Sequence, residues 1–195
     1  MVSDYWQTSL DEHLRPPPAN GWRRSAYEVE INPWSRRGDV EAALLFRGAI
    51  VSAYGYIETV LGDISLRASR LPRYAALRET FTHTAEQRVA FLRRAFALPP
   101  LASHQRWAAM FLDRFEAHSH LRNLAAHARM QVLPNWGVTF HDLRREGPSS
   151  VSRRSQRMTL PELELAAWRA ARLARLAQRL IGRLDDTAVL PAISE

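Results

Sequence analysis

The sequence predicts a mainly α protein, an antiparallel helical bundle with a small β-hairpin or meander inserted before the C-terminal helix. Three features carry that expectation. Long stretches repeat apolar residues every three or four positions, two of them begin with capping signatures, and one short region switches to period two around Pro134-Asn135-Trp136-Gly137. At 195 residues the chain fits one domain and is long enough to bury roughly 70% of its unfolded surface.

The elements follow in order. Residues 1–38 are heterogeneous: a short amphipathic turn at Tyr5, Trp6 and Leu10 runs into Pro16-Pro17-Pro18, which forbid helix, and the stretch from Ile31 to Asp39 is irregular. This region is expected to be an arm packed by its tryptophans. A helical domain is expected over 39–186. Its first helix starts with Asp39 as N-cap and Glu41 in the first turn, carries Ala43, Phe46, Ile50, Ala53, Ile57 and Leu61 at helical spacing, and ends near Ala68. A second helix opens on a capping box of Thr84 and Gln87 and stops at Pro99-Pro100. A third runs from about Ser103 to Met130 with Trp107, Phe111, Phe115, Leu121, Leu124 and Ala125 on its stripe, with a break near Ser119 left open. The β insertion is placed at 131–158, its third strand supplied by "VSRRSQRMTL". The last helix has Thr159 as N-cap, Pro161 in the first turn and Glu162 closing a capping box, with Leu165, Trp168, Ala171, Leu173, Leu176 and Leu180 as its stripe. Residues 187–195 read as a tail.

Composition narrows the chemistry. There is no cysteine, which excludes disulfides, thiolate catalysis and cysteine-based zinc sites. The net charge is +7 and every one of the 27 basic residues is arginine. Arginine presents a planar fork of donors that matches phosphate and stays charged at any pH, so an anionic partner such as nucleic acid is favoured. The N-terminal residues lack the apolar run of a secretory signal, and no apolar run approaches the ~20 residues of a membrane span. A cytoplasmic protein with no membrane partner is expected.

One stretch stands apart. "HLRNLAAHARM", residues 120–130, sets Arg122, Asn123 and two histidines among alanines and leucines. On a helix Asn123 and His127 lie one turn apart, and His120 is a turn before Asn123 on the same stripe. Arg122 sits about 140° around the axis from His127, a gap that a long guanidinium side chain can bridge. The small Ala125, Ala126 and Ala128 allow another segment to approach this part of the helix closely.

These residues carry a resemblance. "RNLAAH", Arg122 to His127, resembles the arginine, four-residue gap and histidine motif of HEPN domains, including the polar residue directly after the arginine. HEPN domains are all-α bundles found in toxins, antiphage systems and RNA-processing factors, and many are metal-independent endoribonucleases that act as dimers. The likeness spans about residues 40–185 and leaves out the arm and the β insertion. It implies RNA as substrate, a homodimer, no cofactor and no metal, with an antitoxin or regulatory protein as a further partner. It also implies an acidic residue on an earlier helix facing the motif, a place that falls to Glu58. The toxins paired with a minimal nucleotidyltransferase carry a tyrosine two positions after the histidine; here that position is Arg129, so the chain departs from that subgroup.

The residue types suit the chemistry. Cleaving RNA without metal needs a base for the 2′-OH, an acid for the leaving oxygen and a cation for the phosphorane. Histidine, titrating near ~6.5 when unperturbed, serves either proton transfer. Arg122 would clasp the phosphate, Asn123 would donate to it or fix the imidazole, and Glu58 would orient Arg122 or His127. One histidine is short by one proton-transfer group, which a symmetric dimer or His120 would supply. His120, Tyr56, Arg129, Arg153 and Arg154 are the candidate substrate contacts, the last two as an RNA-gripping flap on the β insertion or simply a solvated loop. Arg172, Arg175, Arg179 and Arg183 read as a solvated face of the last helix, with phosphate contact as the second reading. The competing reading is a non-catalytic helical module that binds RNA or protein, with Arg122 paired to Glu116 or Glu58 for structure alone. His118 and His120, two apart on a helix, point about 200° away from each other and cannot chelate one ion.

Overall fold

The computed structural model describes residues 29–31, 34–77, 84–145 and 150–192. The expected arm residues Tyr5, Trp6 and Leu10 lie outside them. The chain is mainly helical, with an antiparallel three-stranded sheet inserted before the final helix, as the sequence predicts. Element order is β1 (Val29–Ile31), α1 (Arg37–Ser69), α2 (Pro72–Ala75), α3 (Ala85–Phe96), a 3-10 turn (Leu101–His104), α4 (Gln105–His127), β2 (Arg129–Leu133), β3 (Gly137–Arg145), β4 (Val151–Met158) and α5 (Leu160–Asp186). Two compact units are distinguished, one of residues 1–51 and 120–168, the other of residues 52–119 and 169–195; their boundaries fall within α1, α4 and α5.

The first unit holds the sheet. Strands run in the order β1-β2-β3-β4. β2 pairs antiparallel with β3, Met130 opposite Phe140, and β3 with β4, His141 opposite Ser155. One face is apolar: Met130, Val132, Val138 and Phe140 are buried there with Ile31. The unit's helical segments add Val40, Ala43, Ile50, Leu124, Ala125, Leu163 and Ala166 to the same interior. The Pro-Asn-Trp-Gly turn needs its glycine. Gly137 has φ +114°, and a Cβ there would stand 2.3 Å from the Met158 carbonyl oxygen.

β1 departs from the expected irregular arm. Val29, Glu30 and Ile31 pair parallel with Met130, Gln131 and Val132, extending the sheet by an edge strand. The alternation Val29-Glu30-Ile31 was the signal, and a three-residue strand is too short for periodicity to stand out. Ser35 also ties the arm down by donating to the Val132 carbonyl at 3.2 Å.

The second unit is helical and packs Tyr54, Ile57, Leu61, Ile64, Phe91, Phe96, Phe111 and Phe115. Both capping boxes form. Thr84 accepts from the Gln87 amide while its own amide donates to the Gln87 side chain, and in the first unit Thr159 and Glu162 do the same for α5. α4 is continuous, with no break at Ser119, and ends at His127 rather than Met130, which belongs to β2. Arg67 is buried between Asp63 and Asp185 and donates to the Leu190 and Pro191 carbonyls, with Leu190 buried beside it. The expected tail is therefore anchored as far as Ala192, whose carbonyl accepts from Arg70.

The stripe of α5 differs from expectation. Leu165 and Trp168 are 50% and 59% exposed, and the buried positions are Leu163, Ala166, Ala167, Ala170, Leu173, Ala177, Leu180 and Leu184. Leu173 and Leu180 are buried as expected, but alanines take several of the other inward positions while Leu165 and Trp168 point out. Arg183 is exposed as expected, and its guanidinium also lies over the Trp107 ring at 4.0 Å. α1 is long and apolar enough by length and composition to cross a membrane, with a mean hydropathy of 1.3 over its best window. Arg47 and Glu58 interrupt its apolar run, and core helices of soluble proteins meet the same test.

Candidate active site

Helix α4 delivers the motif at its last turns. The final helical bond runs from the Ala128 amide to the Leu124 carbonyl at 3.1 Å, after which the chain turns into β2. From Ala125 onward the carbonyls lose their i+4 partners, and at a helix C-terminus such orphans attract cations. Arg47 of α1 answers both needs. Its Nε donates to the Ala125 carbonyl at 2.8 Å and its Nη2 to the Ala128 carbonyl at 3.3 Å. Ala125 and Ala128 are buried, so the close approach that small residues permit is the approach of this guanidinium.

On that clamped turn the predicted cluster assembles within a single chain. Arg122 Nη1 donates to Asn123 Oδ1 at 3.1 Å and stands 3.0 Å from His127 Nε2. A guanidinium can only donate, so in this contact Nε2 is the acceptor, which calls for the tautomer with its proton on Nδ1. Asn123 and His127 are exposed and Arg122 is half-buried. The 140° separation on the helix is thus bridged by the arginine, and both groups reach solvent.

The other candidates are placed as follows. His120 is exposed on α4, one turn before Asn123. Arg129 opens β2 and is half-buried. Arg153 and Arg154 are both exposed on β4, but alternation puts them on opposite faces: Arg153 is opposite Leu143 and Arg154 opposite Asp142. Glu58 and Tyr56 belong to the second unit. There Glu58 is half-buried on α1 with its main-chain carbonyl accepting from Arg88, and Tyr56 is exposed. Glu116, weighed as a structural partner for Arg122, is engaged by Arg93 together with Asp113. Tyr54, near Glu58 in sequence, is buried and donates to the His118 carbonyl at 2.8 Å; burial pushes its hydroxyl up to about 12, so it acts as a neutral donor. Among the described residues no group of three or more acidic or histidine side chains is placed to hold a metal ion.

Sequence reading missed Arg47. Its only trace is one arginine within the apolar run "ALLFRGAIV", and no local pattern tells which carbonyls it reaches. No family model, curated protein or solved structure matches this chain. The HEPN resemblance accordingly rests on Arg122 to His127 and their helical setting.

Proposed function

We propose that this chain is a metal-independent endoribonuclease of HEPN type, acting as a homodimer in a toxin or antiphage role. The observation that supports it is the 3.0 Å contact between the Arg122 guanidinium and His127 Nε2 on a solvent-reaching helix end. A phosphodiester bound by Arg122 would lie beside an imidazole nitrogen able to take a proton. In the reaction His127 takes the proton of the 2′-OH, whose oxygen attacks phosphorus. Arg122 stabilises the added negative charge, and the 5′-oxygen leaves with a proton from the protonated His127 of a second copy, so that the two imidazoles exchange protonation states. The products are a 2′,3′-cyclic phosphate and a 5′-hydroxyl end. Asn123 holds the guanidinium in place through its Oδ1.

The test is cleavage of end-labelled single-stranded RNA in the presence of EDTA. Wild type should yield cyclic-phosphate ends, DNA of the same sequence should stay intact because it lacks the nucleophile, and His127→Ala should lower the rate by about 100-fold or more. Equal cleavage by wild type and His127→Ala would end the proposal. RNA binding without any product would leave the non-catalytic helical module in its place.

A further inference from the structure

The sheet has a second face. Opposite the apolar face, alternation brings Arg129 and Gln131 of β2, Thr139, His141 and Leu143 of β3, and Arg153, Ser155 and Arg157 of β4 to one side. Its register places Arg129, His141 and Ser155 in one row, with Arg157 and Arg153 to either side of Ser155 along β4. The imidazole of His141 is fixed between Ser155 Oγ at 2.8 Å and Gln131 Oε1 at 3.3 Å. Arg153 and Arg157 are exposed. At the end of the face Trp136 is 57% exposed, with the Arg157 guanidinium 5.3 Å from its ring centroid. No carboxylate side chain of β2, β3 or β4 lies on this side, because Asp142 falls on the other. Exposed arginines beside a half-exposed aromatic ring are what single-stranded nucleic acid binds: arginines hold phosphates and the ring stacks a base without selecting it.

We infer that this face is a track for single-stranded RNA, with Arg153 and Arg157 on successive phosphates and Trp136 beneath a base. Its direction toward the cleavage centre rests on the ribonuclease reading. Arg129 lies two residues past His127, within about 7 Å along the chain, which brings the β2 end of this row near the motif. Sequence proximity had suggested Arg153 and Arg154 as a pair; the register replaces Arg154 with Arg157.

The test measures binding in the His127→Ala background, where no cleavage interferes, using fluorescein-labelled 20-mer polyuridine. Arg153→Glu/Arg157→Glu should weaken binding by about tenfold or more and flatten the dependence of log Kd on log salt by about 1.4, the value for two phosphate contacts on a single strand. Trp136→Ala should weaken it by about five- to tenfold. Arg172→Glu/Arg179→Glu, on the exposed side of α5, makes the same change in net charge and should leave binding within about twofold of the parent. Far-UV circular dichroism checks that each variant is folded. If the α5 pair weakens binding as much as the β4 pair, or if a duplex of the same length competes as well as the single strand, the track is wrong. Loss of binding in the β4 pair sustains the track even if wild type cleaves nothing. Cleavage by a β4 pair that binds normally removes the track and leaves the ribonuclease standing.

Discussion

Arg122 can hold its neighbours because a guanidinium spreads donors around a plane. Asn123 and His127 lie one turn apart on the same face, and the long Arg122 side chain brings a single Nη1 to both at 3.0–3.1 Å. The convergence of these residues was legible in the sequence, since helical geometry and side-chain length settle it. Arg47 was not legible, because its partners are main-chain oxygens 78 and 81 residues away. Its role is nonetheless simple: it satisfies carbonyls that end α4 directly beneath His127. Removing it leaves part-buried acceptors without their charged donor, so Arg47→Ala should cost about 1–3 kcal/mol in urea unfolding and lower RNA cleavage as the last turn of α4 frays. Arg47→Lys should recover only part of both, since an ammonium lacks the two-pronged geometry. A loss below about 0.5 kcal/mol for the alanine variant would mean that solvent serves those carbonyls equally well.

At the scale of elements, the two capping-box helix starts were read accurately, whereas Asp39, expected as an N-cap, lies in the first turn of a helix that begins at Arg37. Capping boxes announce themselves through residue pairs three apart, and both formed where Thr84 and Thr159 placed them. The face of α5 was read only in part: Leu173 and Leu180 are buried, but hydrophobicity ranks Leu165 and Trp168 above Ala166, Ala167 and Ala170, whereas packing selects the small residues. The parallel strand β1 escaped because pairing with β2, about 100 residues on, leaves no local mark. The α5 cap offers a pH test. Hydrogen bonds from the Thr159 backbone and side chain lower the Glu162 pKa below its ordinary 4.5. A group whose folded pKa is depressed contributes stability above its unfolded pKa and loses it as pH falls through the folded value. Wild type should therefore melt above Glu162→Ala at about pH 6, and the gap in Tm should close on acidification toward about pH 3. A gap that stays constant over that range would remove the charged cap from the explanation and leave only side-chain packing at the first turn.

For the molecule as a whole, the proposed ribonuclease reading turns on proton counting. Each chain brings one motif histidine, while transesterification needs one group to accept a proton and another to return it. His120, one turn before Asn123 on α4, would answer this within a chain; a twofold pair of chains would answer it between them. The two possibilities separate when wild type is mixed with His127→Ala. If each chain carries a complete site, activity falls in proportion to the wild-type fraction, so an equal mixture retains about half, and His120→Ala abolishes what remains. If the site is shared, only dimers of two wild-type chains work, an equal mixture that exchanges freely retains about a quarter, and the specific activity of wild type drops on dilution as dimers dissociate. The exposed, already assembled Arg122–His127 pair favours the shared site, because it presents one proton-transfer group and one cation outward, ready to meet their counterparts on another copy. A retained half, together with specific activity that is flat on dilution, would place both proton transfers within one chain.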